Sequence, residues 1–151
     1  LPDLRRPEVP RTEEMKIHLE DMEGSRHPVI VIDDVPDEQR RNLLYDFLYD
    51  SKGNEDLRLA ALDRAEAGTP EPSWANNYAS TAMFPDGRVV ITQLEYLLED
   101  DQKDHPPQTV ITIAEARKLI LDWIEARDKW YAEREATQSH TSDDPSNVSR
   151  R

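Results

Sequence analysis

Apolar residues near the start of the chain alternate with polar ones, which predicts strands. Met15, Ile17 and Leu19 alternate with charged residues and a histidine, and residues 29–32 form a β-branched run. Alternation and β-branched runs are both typical of half-buried or buried strands. We therefore predict two strands here, joined by a loop that contains Gly24.

The next apolar positions recur at helical spacing and predict two helices. The first begins in the stretch that contains Asp34, Pro36 and Asp37, because a side-chain acceptor, a fixed φ and early negative charge suit a helix amino terminus. Its apolar face comprises Leu43, Leu44, Phe47 and Leu48. The second helix ends at Gly68, a residue type that commonly terminates helices. The proline-containing residues 69–77 are predicted to form a loop.

The clearest turn signal is Pro85-Asp86-Gly87. Proline presets φ at the first turn position and glycine tolerates a positive φ, so this stretch predicts a hairpin between strands over 78–84 and 89–94. A short strand over 109–111 follows an acidic connection.

A long carboxyl-terminal helix is predicted after this strand. Thr112 and Glu115 have the spacing of a capping box, and an apolar stripe continues from Ile113 to Trp130. The sequence therefore predicts an α+β fold. We expect a largely antiparallel sheet of four to five strands, packed by two or three helices.

The length of 151 residues corresponds to one domain. We predict that residues 15–135 form this single α+β domain. Residues 1–14 are rich in proline and charge, which indicates a flexible leader or a remnant of cloning. Residues 136–151 carry almost no apolar side chains, which is typical of a disordered tail.

The chain is strongly acidic, with 32 acidic and 19 basic residues and a formal charge of −13. Residues 15–135 contain 26 acidic and 14 basic side chains, so a net −12 belongs to the predicted domain. This balance argues against direct binding of nucleic acid, which requires clustered cations. A basic protein partner fits the charge better.

The sequence lacks the motifs of several other function classes. There are no cysteines and only four glycines, and no phosphate-binding loop or dinucleotide motif is present. We therefore expect a protein that is not an enzyme, with no cofactor and no catalytic residues. No apolar run is long enough to span a bilayer. We expect no membrane association and a cytoplasmic location.

The acidic connection after the hairpin is the leading candidate site. A cationic surface would be attracted by clustered carboxylates, and aromatic side chains often anchor interfaces. The predicted partner-binding residues are Glu95, Tyr96, Glu99, Asp100, Asp101, Asp104, Trp130 and Tyr131. The alternative interpretation is that the carboxylates belong to an ordinary solvated loop.

Two other functions stay open. A small metal-dependent hydrolase could use Asp33 and Asp34, or the region from Asp100 to His105, because hard cations prefer oxygen ligands. Helix capping also explains Asp33 and Asp34. The region from Asp100 to His105 lacks the ligand spacing of a calcium loop. An accessory or oligomerisation domain could instead use the long helix over 113–135 as its contact surface.

The carboxyl-terminal half resembles bacterial immunity proteins of polymorphic toxin systems. The resemblance consists of the strand over 78–84, the Pro85-Asp86-Gly87 turn, a second strand, the acidic connection and a tryptophan-containing helix that opens at Thr112. It implies a small acidic inhibitor that covers the active site of a cognate toxin, commonly a nuclease. Clustered carboxylates would then imitate the phosphates that a nuclease binds.

Overall fold

The structure is a computed structural model that describes residues 15–24, 26–69, 74–75, 79–84, 86–94 and 97–142, with the side chains of 74–75 and 138–142 left out. It has an α+β fold, as predicted, with a long carboxyl-terminal helix. The strands are β1 (Lys16–Glu20), β2 (Val29–Asp33), β3 (Trp74–Ala75), β4 (Ala79–Met83), β5 (Arg88–Gln93) and β6 (Gln108–Thr112). The helices are α1 (Glu38–Ser51), α2 (Glu55–Glu66) and α3 (Ile113–Ser142), and a 3₁₀ helix spans Asp100–Gln102.

The strands form two antiparallel sheets, which differs from the predicted single sheet of four to five strands. β1 pairs with β2, and the second sheet has the order β3-β4-β5-β6. β3 lies inside the predicted loop over 69–77, where Trp74 pairs with Thr81 of β4. Two residues are too few to produce an alternating pattern, so this strand has no signal in the sequence.

The predicted hairpin between β4 and β5 is confirmed. The amide of Gly87 donates to the carbonyl oxygen of Phe84 at 3.1 Å, which closes the turn. Gly87 has a φ of 88°, a region that residues with a Cβ rarely adopt. Its carbonyl oxygen accepts a hydrogen bond from Ile113 at 2.8 Å, so the turn also fixes the start of α3.

Side-chain caps begin α1 and α3. Thr112 and Glu115 form the predicted capping box, with reciprocal hydrogen bonds of 2.9 and 3.0 Å. The cap of α1 is Asp37, whose carboxylate accepts from the amide of Arg40 at 3.2 Å. Asp34 is not the cap; it adopts a φ of 64° between β2 and the helix.

The core lies between α1, α3 and the sheets. Its fully buried side chains include Leu44, Phe47, Leu48, Val89, Ile91, Ile111 and Ile120. The helix α3 continues to Ser142, past residue 135 where we expected the folded domain to end. Residues 1–14 and 143–151 lie outside the described residues. No helix in the described ranges is long and apolar enough to cross a membrane.

A buried arginine closes the edge of the larger sheet at β6. Arg40 is 7 % exposed, and its Nη1 donates to the carbonyl oxygen of Val110 at 3.0 Å and to Oγ1 of Thr109. β6 is the last strand in the sheet order, so its outer backbone groups need partners. Arg40 therefore joins α1 to a sheet edge and stabilises that edge.

Candidate functional site

The predicted acidic cluster lies in the connection between β5 and β6. Gln93 closes this connection at its base, because its amide donates to the carbonyl oxygen of Pro107 at 3.0 Å. The side-chain Nε2 of Gln93 also donates to the carbonyl oxygen of Leu97 at 3.2 Å. Of the predicted site residues, Glu95 and Tyr96 lie outside the described residues.

Glu99 caps the short 3₁₀ helix Asp100–Gln102. Its carboxylate accepts from the backbone amide of Gln102, and the side chain of Gln102 accepts from the amide of Glu99 at 3.0 Å. Reciprocal bonds of this kind satisfy donors that a helix start leaves without partners. The spacing of Glu99 and Gln102 carried this signal, which we had interpreted only as negative charge.

The remaining carboxylates of the cluster are exposed. Asp100, Asp101 and Asp104 all face solvent, and the side chain of Asp100 is 99 % exposed. Lys103 is the cation within this stretch, and its Nζ lies 3.2 Å from Oδ1 of Asp100. Four carboxylates and one ammonium therefore share one hydrogen-bonded turn. Such a turn attracts cationic surfaces, although salt screens exposed charges beyond about 8–10 Å.

Trp130 and Tyr131 lie against the connection between β1 and β2. The two rings meet edge to face, with centroids 5.0 Å apart. The indole Nε1 of Trp130 donates to Asp21 at 3.0 Å, and the hydroxyl of Tyr131 lies 3.1 Å from Nδ1 of His27. Hydrogen bonds from Arg134, and then from Trp130, hold the pKa of Asp21 below its ordinary value. These aromatic residues thus hold the β1–β2 connection to α3, a role that the sequence did not reveal.

A groove between α1 and β5 lies beside the acidic connection. It has a volume of about 400 Å³. Its lining residues are Glu38, Gln39, Asn42, Leu43, Asp46 and Gln93. Gln93 belongs to the groove and also holds Leu97 at the start of the acidic connection. Sequence reasoning missed this site, because polar positions at helical spacing look like an ordinary solvent-facing surface.

Asp46 is the most perturbed carboxyl group of the groove. Burial raises its pKa to about 6, and the negative charge of Asp50 adds to the shift. Asp50 itself accepts a hydrogen bond of 2.9 Å from the amide of Ala79. Within the part of the chain that the structure describes, the side chain of Asp46 has neither a hydrogen bond nor a cationic partner.

Two of the residues suggested for a metal site, Asp33 and Asp100, pair with other side chains. Asp33 accepts a hydrogen bond of 2.5 Å from Nδ1 of His18, whose Nε2 contacts Glu20 at 2.8 Å. Asp100 pairs with Lys103. Among the described residues, no group of three or more histidine, aspartate or glutamate side chains is arranged to hold a metal ion.

The apolar stripe of α3 is used inside the molecule. Ala116, Ile120 and Trp123 are buried in the core, whereas Leu121 on another face is 47 % exposed. One face of the helix that we considered as an oligomerisation surface therefore packs against the rest of the molecule, while its other face is exposed. The exposed positions of the helix include charged residues such as Lys118 and Glu125 and uncharged ones such as Leu121 and Tyr131.

The chain was also compared with known proteins. No family model, curated protein or solved structure matches it.

Proposed function

We propose that this chain is a small acidic binding protein that neutralises a basic protein partner. The observation that carries the proposal is the ordered turn in the β5–β6 connection, which presents Glu99, Asp100, Asp101 and Asp104 to solvent. We name these four residues the acidic turn. Glu95 and Tyr96 precede it, and we propose that they extend the same surface.

Charge and order both support binding through the acidic turn. Clustered charge steers an oppositely charged partner during encounter and raises the association rate. The Glu99–Gln102 capping bonds and the hydrogen bond between Gln93 and Pro107 restrain the turn. A turn that is already ordered loses less conformational entropy when it binds. Trp130 and Tyr131 contribute their exposed edges only if the partner also reaches the β1–β2 connection.

A nuclease-type toxin is the narrower form of this proposal. It rests on the resemblance of the carboxyl-terminal half to bacterial immunity proteins. A nuclease must be cationic around its phosphate site, so clustered carboxylates would occupy the positions of the displaced phosphates. Inhibition of the partner would then follow from direct coverage of its active site.

The test compares two variants of the full chain that have the same net charge. In the first, Glu99→Gln, Asp100→Asn, Asp101→Asn and Asp104→Asn neutralise the acidic turn. In the control, Asp56→Asn, Glu125→Gln, Glu133→Gln and Glu135→Gln neutralise exposed carboxylates on α2 and α3. Each tagged protein is used to capture partners from the native host, and the captured protein is then measured in a salt series.

We expect the wild type and the control to retain a basic protein that the acidic-turn variant loses. The affinity should also fall steeply as salt rises, because the attraction is electrostatic. Equal retention by both variants would contradict the proposal, and so would an affinity that does not depend on salt. An adjacent toxin gene in the host genome would support the narrower form.

A further inference from the structure

The groove between α1 and β5 combines polar acceptors with a buried apolar floor. Glu38, Asn42 and Asp46 follow one another at intervals of four residues, so they lie on one face of α1. Leu43 contributes the apolar part of the lining and is 3 % exposed. Gln93 forms the opposite wall from β5. We propose that this groove binds an arginine-bearing segment of the basic partner, with a guanidinium against Asp46.

The acceptors suit a guanidinium. Asn42 and Gln93 line the same groove as Asp46 and carry amide oxygens. Nε2 of Gln93 already donates to the carbonyl oxygen of Leu97, which leaves its Oε1 as an acceptor. Arginine presents five N–H donors in a plane and carries a long apolar stem. The stem would pack on Leu43 while the head donates to the oxygens. A volume of about 400 Å³ lies at the lower end of ligand sites, which run from about 300 to 1,000 Å³.

The side chains around the groove have no internal partners for these bonds. Within the described ranges, the side chains of Glu38, Gln39, Asn42 and Asp46 form no hydrogen bond or ion pair. Asp46 is partly withdrawn from water, the charge of Asp50 on its own helix acts on it, and Gln93 of β5 lines the same groove; neither of these two residues is a cation. A half-buried carboxylate without a counter-ion favours the binding of a cation.

The position of the groove links it to the acidic turn. Gln93 lines the groove and holds Leu97, two residues before Glu99. A basic segment that is attracted by the acidic turn would therefore meet the groove next. This inference rests on the proposed function, because it names the contact that gives the same partner its residence time.

The experiment uses the full chain and an end-blocked oligoarginine peptide as the probe. Affinity is measured by calorimetry, and the side-chain amide signals of Asn42 and Gln93 are followed by NMR. The variants are Asp46→Asn, the acidic-turn variant and the matched control Asp56→Asn, which removes an exposed carboxylate from α2. Asp46→Asn removes a partly desolvated charge that faces Asp50, so this variant should fold.

We expect Asp46→Asn to weaken binding of the peptide by about fivefold to tenfold, and Asp56→Asn by less than about twofold. Both amide signals should shift when the peptide binds to the wild type. The affinity of the wild type for the peptide should fall between about pH 7.5 and pH 5, because Asp46 takes up a proton. The affinity of Asp46→Asn should fall less over the same range.

The outcomes separate this inference from the proposed function. If the acidic-turn variant loses the peptide while Asp46→Asn retains it, the groove is not the arginine site and the proposed function stands. If only Asp46→Asn loses it, the groove is confirmed and the acidic turn is not the binding surface. If neither variant weakens binding, both proposals are wrong. If spermidine shifts the two amide signals and oligoarginine does not, the groove binds a small polyamine and the inference is overturned.

Discussion

The indole of Trp123 donates a hydrogen bond of 2.9 Å to the carboxylate of Glu55, 68 residues earlier in the chain. The same oxygen, Oε2, accepts from Nη1 of Arg127 at 3.0 Å, and the amide of Gly53 also donates to the carboxylate. Glu55 is 9 % exposed and Trp123 is 2 % exposed. Burial acts to raise the pKa of Glu55, but these hydrogen bonds outweigh it and lower the pKa. The carboxylate therefore ties the start of α2 to the middle of α3.

Replacing Glu55 should be costly, because the change leaves buried donors without an acceptor. We expect Glu55→Ala to lower the free energy of unfolding by about 2–4 kcal/mol and Glu55→Gln by about 1–2 kcal/mol. Urea unfolding near pH 7 measures both. The exposed neighbour Asp56→Ala is the control and should cost no more than about 1 kcal/mol. If Glu55→Ala lowers the free energy of unfolding no more than Asp56→Ala does, Glu55 does not stabilise the contact between α2 and α3.

Arg40 provides the second prediction, since it supplies donors to the edge strand β6. Arg40→Met keeps an apolar stem but removes the bonds to Val110 and Thr109, so we expect a loss of about 2–3 kcal/mol. Arg41→Met makes the same change of charge one residue along, where the guanidinium donates to the carbonyl oxygen of Val35 at 2.8 Å. That partly buried control should lose less than Arg40→Met. Equal losses in chemical unfolding would show that the edge bond contributes little.

A local contact and a long-range contact show which parts of the fold could be predicted from the sequence. The capping box of Thr112 and Glu115 involves residues three apart, so local physics determines it and the prediction was confirmed. The bond between Arg40 and Val110 spans 70 residues and forms only after α1 has packed on the sheet. No periodicity encodes such a pairing.

The same distinction applies to the candidate site. The four carboxylates of the acidic turn lie within residues 99–104, so their clustering is visible in the sequence. The capping role of Glu99 was missed. The groove requires α1 and β5 to meet, which brings Asp46 and Gln93 together from distant positions. The hydrogen bond between Trp130 and Asp21 likewise joins residues 109 positions apart, so it depends on the packing of the β1–β2 connection against α3.

The raised pKa of Asp46 predicts the sign of one pH-dependent contribution to the stability of the protein. Its pKa is raised from an ordinary value of 3.8 to about 6 in the folded chain. A raised carboxyl pKa favours folding when the group is protonated, and this contribution is lost as the pH rises from about 4 through 6. We expect Asp46→Asn to raise the melting temperature at pH 7.5 and to leave it unchanged below about pH 4. After allowance for partial solvent exposure, the gain corresponds to about 1 kcal/mol.

That prediction is checked by thermal melts of both proteins across the pH range. A stabilisation that is equally large at acid and neutral pH would mean that ionisation of Asp46 is not the cause. Asp56→Asn again serves as the matched control, because it removes an exposed carboxylate. It should not show the same dependence on pH.

His18 should titrate above its ordinary pKa of 6.5. Hydrogen bonds to Glu20, and secondly to Asp33, favour the imidazolium and raise the pKa. The stabilisation is therefore present below about pH 6.5 and is lost as the pH rises through the higher folded value. An NMR titration of the imidazole measures the midpoint, with the denatured chain as reference. The double variant Glu20→Gln, Asp33→Asn should return the midpoint toward 6.5, and an unchanged midpoint would exclude these carboxylates as the cause.

The division of the strands into two sheets has a consequence for how the molecule opens. Among the described strands, β1 and β2 pair only with each other, and side chains such as those of Ile17 and Trp130 attach this hairpin to the rest of the molecule. The backbone hydrogen bonds of the β1–β2 hairpin do not continue into the larger sheet, so we expect the hairpin to open without β5. Hydrogen exchange should therefore show the amides of β1 and β2 losing protection together, as one subglobal unit, while β5 stays closed until the whole chain unfolds.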